Sequence, residues 1–166
     1  MKFQKKLAVT ALFAALAAAS VVAQAQTVRI ANQGDALSMD PHSLNESLQL
    51  SVTSNVYEPL VGRNKDLSLA PALATSWKQT SPTVWRFELR KGVQFHDGTP
   101  FTADDVVFSF GRMKGDGSDM KATNSDIKQV RKIDDHTVEI ETFAPQPILP
   151  DVISTSYMIS KKWCET

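Results

Sequence analysis

The segment from Trp85 to Phe110, WRFELRKGVQFHDGTPFTADDVVFSF, limits the possible folds of this chain more than any other. Apolar and polar side chains alternate from Trp85 to Arg90, which is the period-2 pattern of a strand with one buried face. After a two-residue break, Val93 and Phe95 resume the alternation. The pattern therefore predicts two extended pieces that each turn one face toward a core.

A turn and a helix complete this segment. Residues His96–Pro100 predict a turn, because these residue types bond their own backbone, accept positive φ or fix φ. Thr102 stands where an N-cap hydroxyl is favoured, and Asp104 and Asp105 fall in the first turn, near the positive end of the helix dipole. Three apolar side chains share one face of the predicted helix: Val106, Val107 and Phe110.

Before this segment, the patterns predict a first strand over Val28–Ala31 and a helix over Glu46–Tyr57. Asn45 is a possible cap of that helix. Its expected apolar face consists of Leu48, Val52 and Val56.

After this segment, Gly115–Asp119 reads as a loop. Ile127–Ile133 and Thr137–Thr142 predict a hairpin with Val138 and Ile140 toward the core, and a last strand is expected near Tyr157. The layout is mixed α/β with several antiparallel pairs. Six aromatic residues at strand and helix spacing are expected in or against the core: Trp77, Trp85, Phe87, Phe95, Phe108 and Phe110.

The amino terminus has the pattern of a secretory signal peptide. Three lysines precede the apolar run Leu7–Ala19, and Ala23–Ala25 supplies the small residues that a signal peptidase reads. We therefore expect residues 1–25 to be removed and the mature chain to begin at Gln26. An uncleaved membrane anchor is disfavoured, because the run is alanine-rich and shorter than the ~20 strongly apolar residues of a membrane span. No cysteine for lipid modification lies at the cleavage point, which predicts a free periplasmic protein of a Gram-negative cell.

Charge and cysteine content exclude some classes of protein. The chain has 18 Lys and Arg against 18 Asp and Glu, and removal of residues 1–25 would leave 15 against 18, a formal charge of −3. A nucleic-acid binder needs a concentrated basic surface, so no nucleic-acid partner is expected. Cys164 is the only cysteine, which excludes an intramolecular disulfide. We expect it to be a partly buried small side chain and not a nucleophile.

No residue pattern assembles a catalytic or metal site. His96 and Asp97 are adjacent in a predicted turn and lack further ligands at suitable spacing, so we interpret them as turn formers. Asp116, Asp119 and Asp126 lack the alternating acids and closing Glu of a calcium loop. The sequence therefore predicts no enzyme, no metal and no cofactor.

The segment 85–109 resembles the hallmark block of one family, W-x-F-x-L-R-x-G-V-x-F-H-D-G-x-P-F-x-A-x-D-V-x-F-S. The family is the extracellular solute-binding proteins of peptide-type ABC importers, the oligopeptide- and dipeptide-binding group known as family 5. Four other segments are also similar to family segments in order and spacing: Leu37–His42, Val56–Val61, Leu69–Trp77 and Trp163–Glu165. The signature positions, interpreted as structural, are Trp85, Phe87, Leu89, Arg90, Gly92, Val93, Phe95, His96, Asp97, Gly98, Pro100, Phe101, Ala103, Asp105 and Val106.

The resemblance implies a fold, a function and partners. It implies that residues 26–166 are the N-terminal part of a solute-binding domain, an incomplete first lobe of a two-lobed, periplasmic-binding-protein-like (type II) fold. The second lobe is absent, so we interpret the chain as a fragment: a truncated reading frame, a pseudogene product or a partial sequence. A full-length member is expected to be a monomer that captures a peptide or similar small solute. It would then deliver the solute to an inner-membrane permease driven by a cytoplasmic ATPase.

The resemblance also places candidate ligand contacts. In the family, the segment after Leu37–His42 lines the cleft, which at this position means Asn45, Glu46 and Ser47. The alternative is that these residues only cap the following helix. Family members that take peptides commonly hold the ligand's amino group with an acid from a later part of the chain, which this sequence does not contain.

Two other classes remain open as alternatives. One is a secreted structural or interaction module that shares the strand-helix core, and the other is a secreted hydrolase, for which no nucleophile, base and oxyanion donor can be assembled. Within the importer reading, the solute could instead be a nickel chelate, haem or an oligosaccharide.

Overall fold

A computed structural model describes Arg29, Ala31, Asn32 and residues 34–166 of the chain. The chain divides into the units 1–33 and 34–166, and the elements given below all belong to the second. The predicted signal peptide, residues 1–25, lies outside the described residues. So do Val28 and Ile30 of the predicted first strand, and Arg29 and Ala31 have no strand structure.

The second unit contains strands and short helices. The strands are β1 Val61–Arg63, β2 Leu69–Pro71, β3 Ala74–Ser81, β4 Val84–Leu89, β5 Ile127–Asp134 and β6 Thr137–Thr142. The helices are α1 Ser47–Thr53, α2 Ala103–Met113, α3 Leu149–Val152 and α4 Lys161–Cys164, with 3₁₀ turns at Asp119–Lys121 and Ile153–Thr155. Strands β1 and β2 form an antiparallel pair, and the other four form an antiparallel sheet in the order β3-β4-β6-β5.

The core lies between the four-stranded sheet and α2. In the sheet register, Trp85 faces Ile140 and Phe87 faces Val138, so the predicted alternation places these side chains on one face. Helix α2 covers that face with Ala103, Val106, Phe110 and Met113, all fully buried. Strand β6 has a neighbour on each side, and all of its residues except Glu141 are buried. The predicted hairpin and helix are confirmed.

The structure corrects the prediction for the first helix. α1 ends at Thr53, four residues before the predicted end, and its buried side chains are Gln49 and Thr53. The expected apolar face is wrong: Leu48 and Val52 are half-buried, and Val56, beyond the helix, is exposed. Periodicity selected the apolar residues, but the Gln49 side chain donates to the Ser38 carbonyl and the Thr53 hydroxyl donates to the Gln49 carbonyl inside the unit.

Three smaller predictions also differ from the structure. The expected last strand near Tyr157 is a single antiparallel bridge between Pro59 and Tyr157. The extended piece at Val93 and Phe95 is likewise only a bridge, between Gln94 and Pro100. Among the six aromatic residues, Phe108 is half-buried and lies outside the core cluster, whereas Phe87 and Phe110 are in it and the other three pack against it.

Candidate functional site

The second unit contains a cavity of about 590 Å³. It is lined by residues 39–41, 56–58, 93–97 and 158–160, by Trp163 and Cys164, and by Leu73, Phe101 and Arg112. Most of this lining is apolar or aromatic, with a few polar groups among them. An apolar cavity of this size with a small number of convergent polar groups is the usual form of a small-molecule site.

The signature turn forms one wall of the cavity. Its two sides are joined by hydrogen bonds from the Phe95 amide to the Thr99 carbonyl (2.8 Å) and from the Phe101 amide to the Val93 carbonyl (3.0 Å). The rings of Phe95 and Phe101 meet edge to face, with centroids 6.0 Å apart. This geometry fixes the aromatic wall.

The side chain of Asp97 bonds within the turn. Asp97 Oδ1 accepts hydrogen bonds from the Thr99 hydroxyl (2.6 Å) and the Thr99 amide (2.9 Å), and these bonds hold the pKa of Asp97 below its usual value. His96 is exposed. Within residues 34–166, no three side chains of the metal-binding types come together at one place.

A partly buried polar cluster forms the floor of the cavity: His42 is buried, whereas the side chains of Asp40 and Arg112 are about a third exposed. Arg112, from the last turn of α2, donates from Nη1 to Asp40 Oδ1 (2.8 Å) and from Nη2 to Asp40 Oδ2. The same Nη1 lies 3.0 Å from His42 Nδ1, and His42 Nε2 lies 2.9 Å from the Tyr157 carbonyl. Asp40, His42 and Arg112 thus connect three parts of the chain that are distant in sequence.

Each group of the cluster shifts in pKa for a physical reason. The hydrogen bonds from Arg112 hold the pKa of Asp40 below its usual value and raise the pKa of Arg112 itself. Burial lowers the pKa of His42, because a desolvated imidazole resists a charge. At neutral pH the floor is therefore an ion pair beside a neutral imidazole.

The rim of the cavity is partly apolar, and it also carries the exposed polar residues Glu58, Gln94 and Asp97. Trp163 is 71% exposed, and Met39 and Val56 are also exposed. Tyr57, half-buried, adds a second aromatic ring. Large apolar side chains that remain in water next to a cavity are typical of a surface that binds another molecule or another part of a protein.

The three predicted ligand contacts lie at the start of α1 and not in the cavity. Asn45, Glu46 and Ser47 are all exposed. Asn45 Nδ2 donates to the Thr123 hydroxyl (2.9 Å), and Glu46 occupies the N-cap position without a side-chain capping bond. The structure therefore keeps them together on an accessible surface, separate from the cavity lining.

Several signature residues are buried in the core of this unit or bonded to other segments. Phe87, Leu89, Phe101, Ala103 and Val106 are buried in the core. The polar and glycine positions shape turns, ends of elements and contacts between segments. Arg90 pairs with Glu58 (2.7 Å), and Trp85 Nε1 donates to the Gln146 carbonyl (2.9 Å).

Cys164 corrects a further prediction, because the residue is exposed beside the cavity and not partly buried. Partial desolvation raises the pKa of its thiol, so the thiolate that nucleophilic chemistry needs is disfavoured.

Sequence reasoning did not find the cluster of His42, Asp40 and Arg112. The only signal for it was the similarity of Leu37–His42 to a family segment. Arg112 carried no signal, because an arginine in the last turn of a helix is common wherever it can face the negative end of the dipole.

Comparison with known proteins gives a consistent result. The model of the bacterial extracellular solute-binding proteins, family 5 (middle part), matches residues 68–164, more than half of the chain. The periplasmic oligopeptide-binding protein OppA of Escherichia coli K12 is 30% identical over 157 residues, which cover 82% of this chain and 29% of OppA. The glutathione-binding protein GsiB of Pectobacterium atrosepticum is 32% identical over 148 residues, covering 87% of this chain and 29% of GsiB.

Solved structures agree with the sequence matches. NikZ from Campylobacter jejuni, solved in complex with Ni(L-His), superimposes with a TM-score of 0.72 at 31% identity. The match covers 80% of this chain and 27% of NikZ. The mixed α/β fold is therefore that of periplasmic binding proteins, and the chain spans less than a third of the length of each of these relatives.

Proposed function

This chain belongs to the bacterial extracellular solute-binding proteins of family 5, and from that membership we propose that it is the N-terminal part of the periplasmic substrate-binding component of an ABC importer. It acts by binding, not by catalysis. A full-length protein of this kind captures its solute in the periplasm as a monomer and delivers it to an inner-membrane permease with a cytoplasmic ATPase. The family match over residues 68–164 is the observation that carries the proposal.

The proposed solute is a peptide. OppA and GsiB, at 30% and 32% identity, are named for binding oligopeptides and glutathione, and both are peptide ligands. An extended peptide can be held through its backbone, so a binding protein of this type accepts many side chains. The complex of NikZ with Ni(L-His) supports a nickel chelate as the second candidate.

We further propose that Asn45, Glu46 and Ser47 form part of the solute cleft. Their exposure and adjacency on the start of α1 leave their side chains accessible to a ligand. The absence of a side-chain capping bond from Glu46 supports this role over helix capping.

Export belongs to the same proposal. Residues 1–25 act as a cleavable signal peptide, and residues 26–166 reach the periplasm. Among the described residues, none of the helices is long and apolar enough to cross a bilayer.

A segment exchange tests this function. Residues 34–166 replace the corresponding segment of E. coli OppA, and uptake of a tripeptide is measured in cells that lack their own oligopeptide-binding protein. We expect the exchanged protein to restore uptake and to bind tripeptide in the micromolar range. A folded, exported protein that binds neither peptide nor a nickel chelate would contradict the proposal.

The exchanged protein also tests the three cleft residues. Replacement of Asn45, Glu46 and Ser47 by alanine should weaken peptide affinity about tenfold or more while the free energy of unfolding changes little. Ser51→Ala, an exposed position on the same helix, is the matched control. A capping role predicts the opposite, namely lost stability with unchanged affinity.

A further inference from the structure

His42 is a buried side chain that joins three segments of the second unit. Its imidazole is 1% exposed. It contacts Arg112 of α2 through Nδ1 and the Tyr157 carbonyl through Nε2, while its own backbone belongs to the segment 38–43. The neighbours of these contacts, Pro41, Arg112 and Met158, all line the cavity. One imidazole therefore joins the segments that form the wall and the floor of the cavity.

The partners of His42 require a neutral ring. A guanidinium has only donors, so Arg112 Nη1 at 3.0 Å needs a lone pair on Nδ1. The Tyr157 carbonyl needs the proton on Nε2. Only the neutral tautomer protonated at Nε2 satisfies both contacts. A proton added to Nδ1 would make that nitrogen a donor that faces the donor Nη1 of Arg112. It would also place two positive charges about 3 Å apart.

The charge of Asp40 offsets only part of that repulsion, because the charge of Arg112 affects the ring more strongly. The charged groups that face the ring are Asp40 and Arg112. Both carboxylate oxygens of Asp40 already accept hydrogen bonds from Arg112, and Oδ1 also accepts one from the His42 amide (3.0 Å). From the next loop, the Ser118 hydroxyl and the Asp119 amide donate to the His42 carbonyl, and neither of these donors changes charge. Protonation would leave Nδ1–H facing the Arg112 donor, and that proton would reach an acceptor only if the pairing of Asp40 with Arg112 rearranged.

We propose that Asp40, His42, Arg112 and the Tyr157 carbonyl form a pH-sensitive junction. While His42 is neutral, the junction holds the cavity wall together. When His42 is protonated, the junction lets residues 38–43 separate from α2 and from residues 156–160. This inference goes beyond solute binding and does not depend on which solute, if any, the cavity accepts.

The direction of the pH effect follows from proton linkage. Burial places the pKa of His42 in the closed state below 6.5, the value of an unperturbed histidine. The open state therefore binds the proton more tightly, and closure is fully stable above pH 6.5 and weakens as the pH falls from 6.5 to the pKa of the closed state. Asp40 stays ionised through this window, because Arg112 holds its pKa below 3.8.

The experiment follows the full 166-residue chain by NMR between about pH 7.5 and pH 4.5. The chain has three histidines, so the titration of His42 can be compared with that of exposed His96 in the same sample. Amide exchange is measured at Asp119, which donates to the His42 carbonyl, and at Met158, which donates to the Glu58 carbonyl. We expect the pKa of His42 to lie below 6.5, the value of an unperturbed histidine, and protection of these two amides to fall by up to about tenfold per pH unit in the window. The amides of β6 should keep their protection.

His42→Gln is the diagnostic variant, because an amide side chain donates and accepts hydrogen bonds but does not titrate. In this variant the protection at Asp119 and Met158 should no longer depend on pH, after correction for intrinsic exchange. His96→Asn, the matched control, should behave as the wild type. If His42→Gln does not fold, the wild-type titration and exchange still decide the question.

Either of two results would overturn the junction. One is a pKa of His42 at or above 6.5. The other is a loss of protection in acid that is equal at Asp119, Met158 and β6, since this would mean global unfolding and not local opening.

Discussion

Glu139 is a charged residue that the fold nearly buries. It lies on β6 between two strands, and it is paired with Arg86 on β4 (2.7 Å) and Arg131 on β5 (2.8 Å). The two arginines take one carboxylate oxygen each. A carboxylate that is desolvated in this way needs such partners, because an unpaired buried charge is costly. The sequence shows three charged residues in separate strands, and only the sheet register brings them together.

A substitution at Gly98 tests the effect of backbone conformation on stability without a steric clash. Gly98 has a φ of +81°, and a Cβ added there would meet no atom within 4 Å. Gly98→Ala should therefore lower the free energy of unfolding by about 1 kcal/mol through backbone strain, without any steric clash. Gly111 in α2 also leaves a Cβ free of contacts but has helical φ, so Gly111→Ala should raise that free energy by about 0.5–1 kcal/mol. Urea unfolding of both variants measures the difference. Equal changes in the free energy of unfolding at the two positions would mean that the positive φ of Gly98 does not determine its response to substitution.

A substitution of His96 tests whether this residue belongs only to the turn or also binds a metal. Because the His96 side chain is exposed and Asp97 shapes the turn through Thr99, His96→Asn should change the free energy of unfolding by less than about 0.5 kcal/mol. Thermal unfolding with and without added zinc checks this. A large loss of stability in the variant, or a gain on zinc addition in the wild type only, would favour a metal role.

At the scale of elements, α2 depends on a single buried carboxylate. Asp105 accepts hydrogen bonds from the Thr102 amide through Oδ2 (2.8 Å) and from the Lys161 amide through Oδ1 (2.9 Å). It therefore connects the start of α2 to the start of α4, whose residues Trp163 and Cys164 line the cavity. The sequence places Asp105 in the first turn of α2 but predicts neither contact.

Asp105→Ala should lower the free energy of unfolding by about 2 kcal/mol, because two backbone donors lose their acceptor. Asp104→Ala is the matched control in the same turn: Asp104 is exposed and pairs only with Lys132, so the change should stay within about 0.5 kcal/mol. Denaturant unfolding compares the two. A similar loss for both would mean that a general effect of acids on the helix dipole, and not the buried bonds of Asp105, stabilises this end of α2.

At the scale of the whole molecule, processing is the first prediction. We expect cleavage after Ala25, because Ala23 and Ala25 are the small residues at the end of the apolar run. Intact mass of the protein recovered from the periplasm measures this. The mass should match a chain that starts at Gln26. A mass equal to that of residues 1–166 would contradict the signal peptide.

Solute affinity is the second prediction at this scale. A two-lobed binding protein gains affinity by closing over its ligand, and residues 26–166 correspond to less than a third of the length of such relatives. One wall leaves a solute mostly hydrated, so we expect residues 26–166 to bind di- and oligopeptides no more tightly than the millimolar range. Calorimetry with a peptide library measures this. Micromolar binding would mean that the described unit contains a complete site.

Much of the fold follows from local pattern. The alternation in β4, the hairpin of β5 and β6, and the capped helix α2 are predictable because each depends on residues that are close in sequence. Membership of family 5 is predictable for a similar reason, since the segment 85–109 is continuous. Helix α1 was predicted with the wrong face because Gln49 and Thr53 are buried through hydrogen bonds, which hydrophobic periodicity does not register.

The sequence by itself thus determined the strands and helix of the signature segment, the family, and the turn role of Asp97. Only the tertiary structure decided the cavity and its floor. Asp40, Arg112 and Tyr157 are far apart in the chain, and only the folded chain brings them into contact. Secondary structure is fixed largely by interactions within a few residues. The protonation state of His42, by contrast, is set by burial and by a guanidinium that lies 70 residues away in the chain, and no local pattern encodes either.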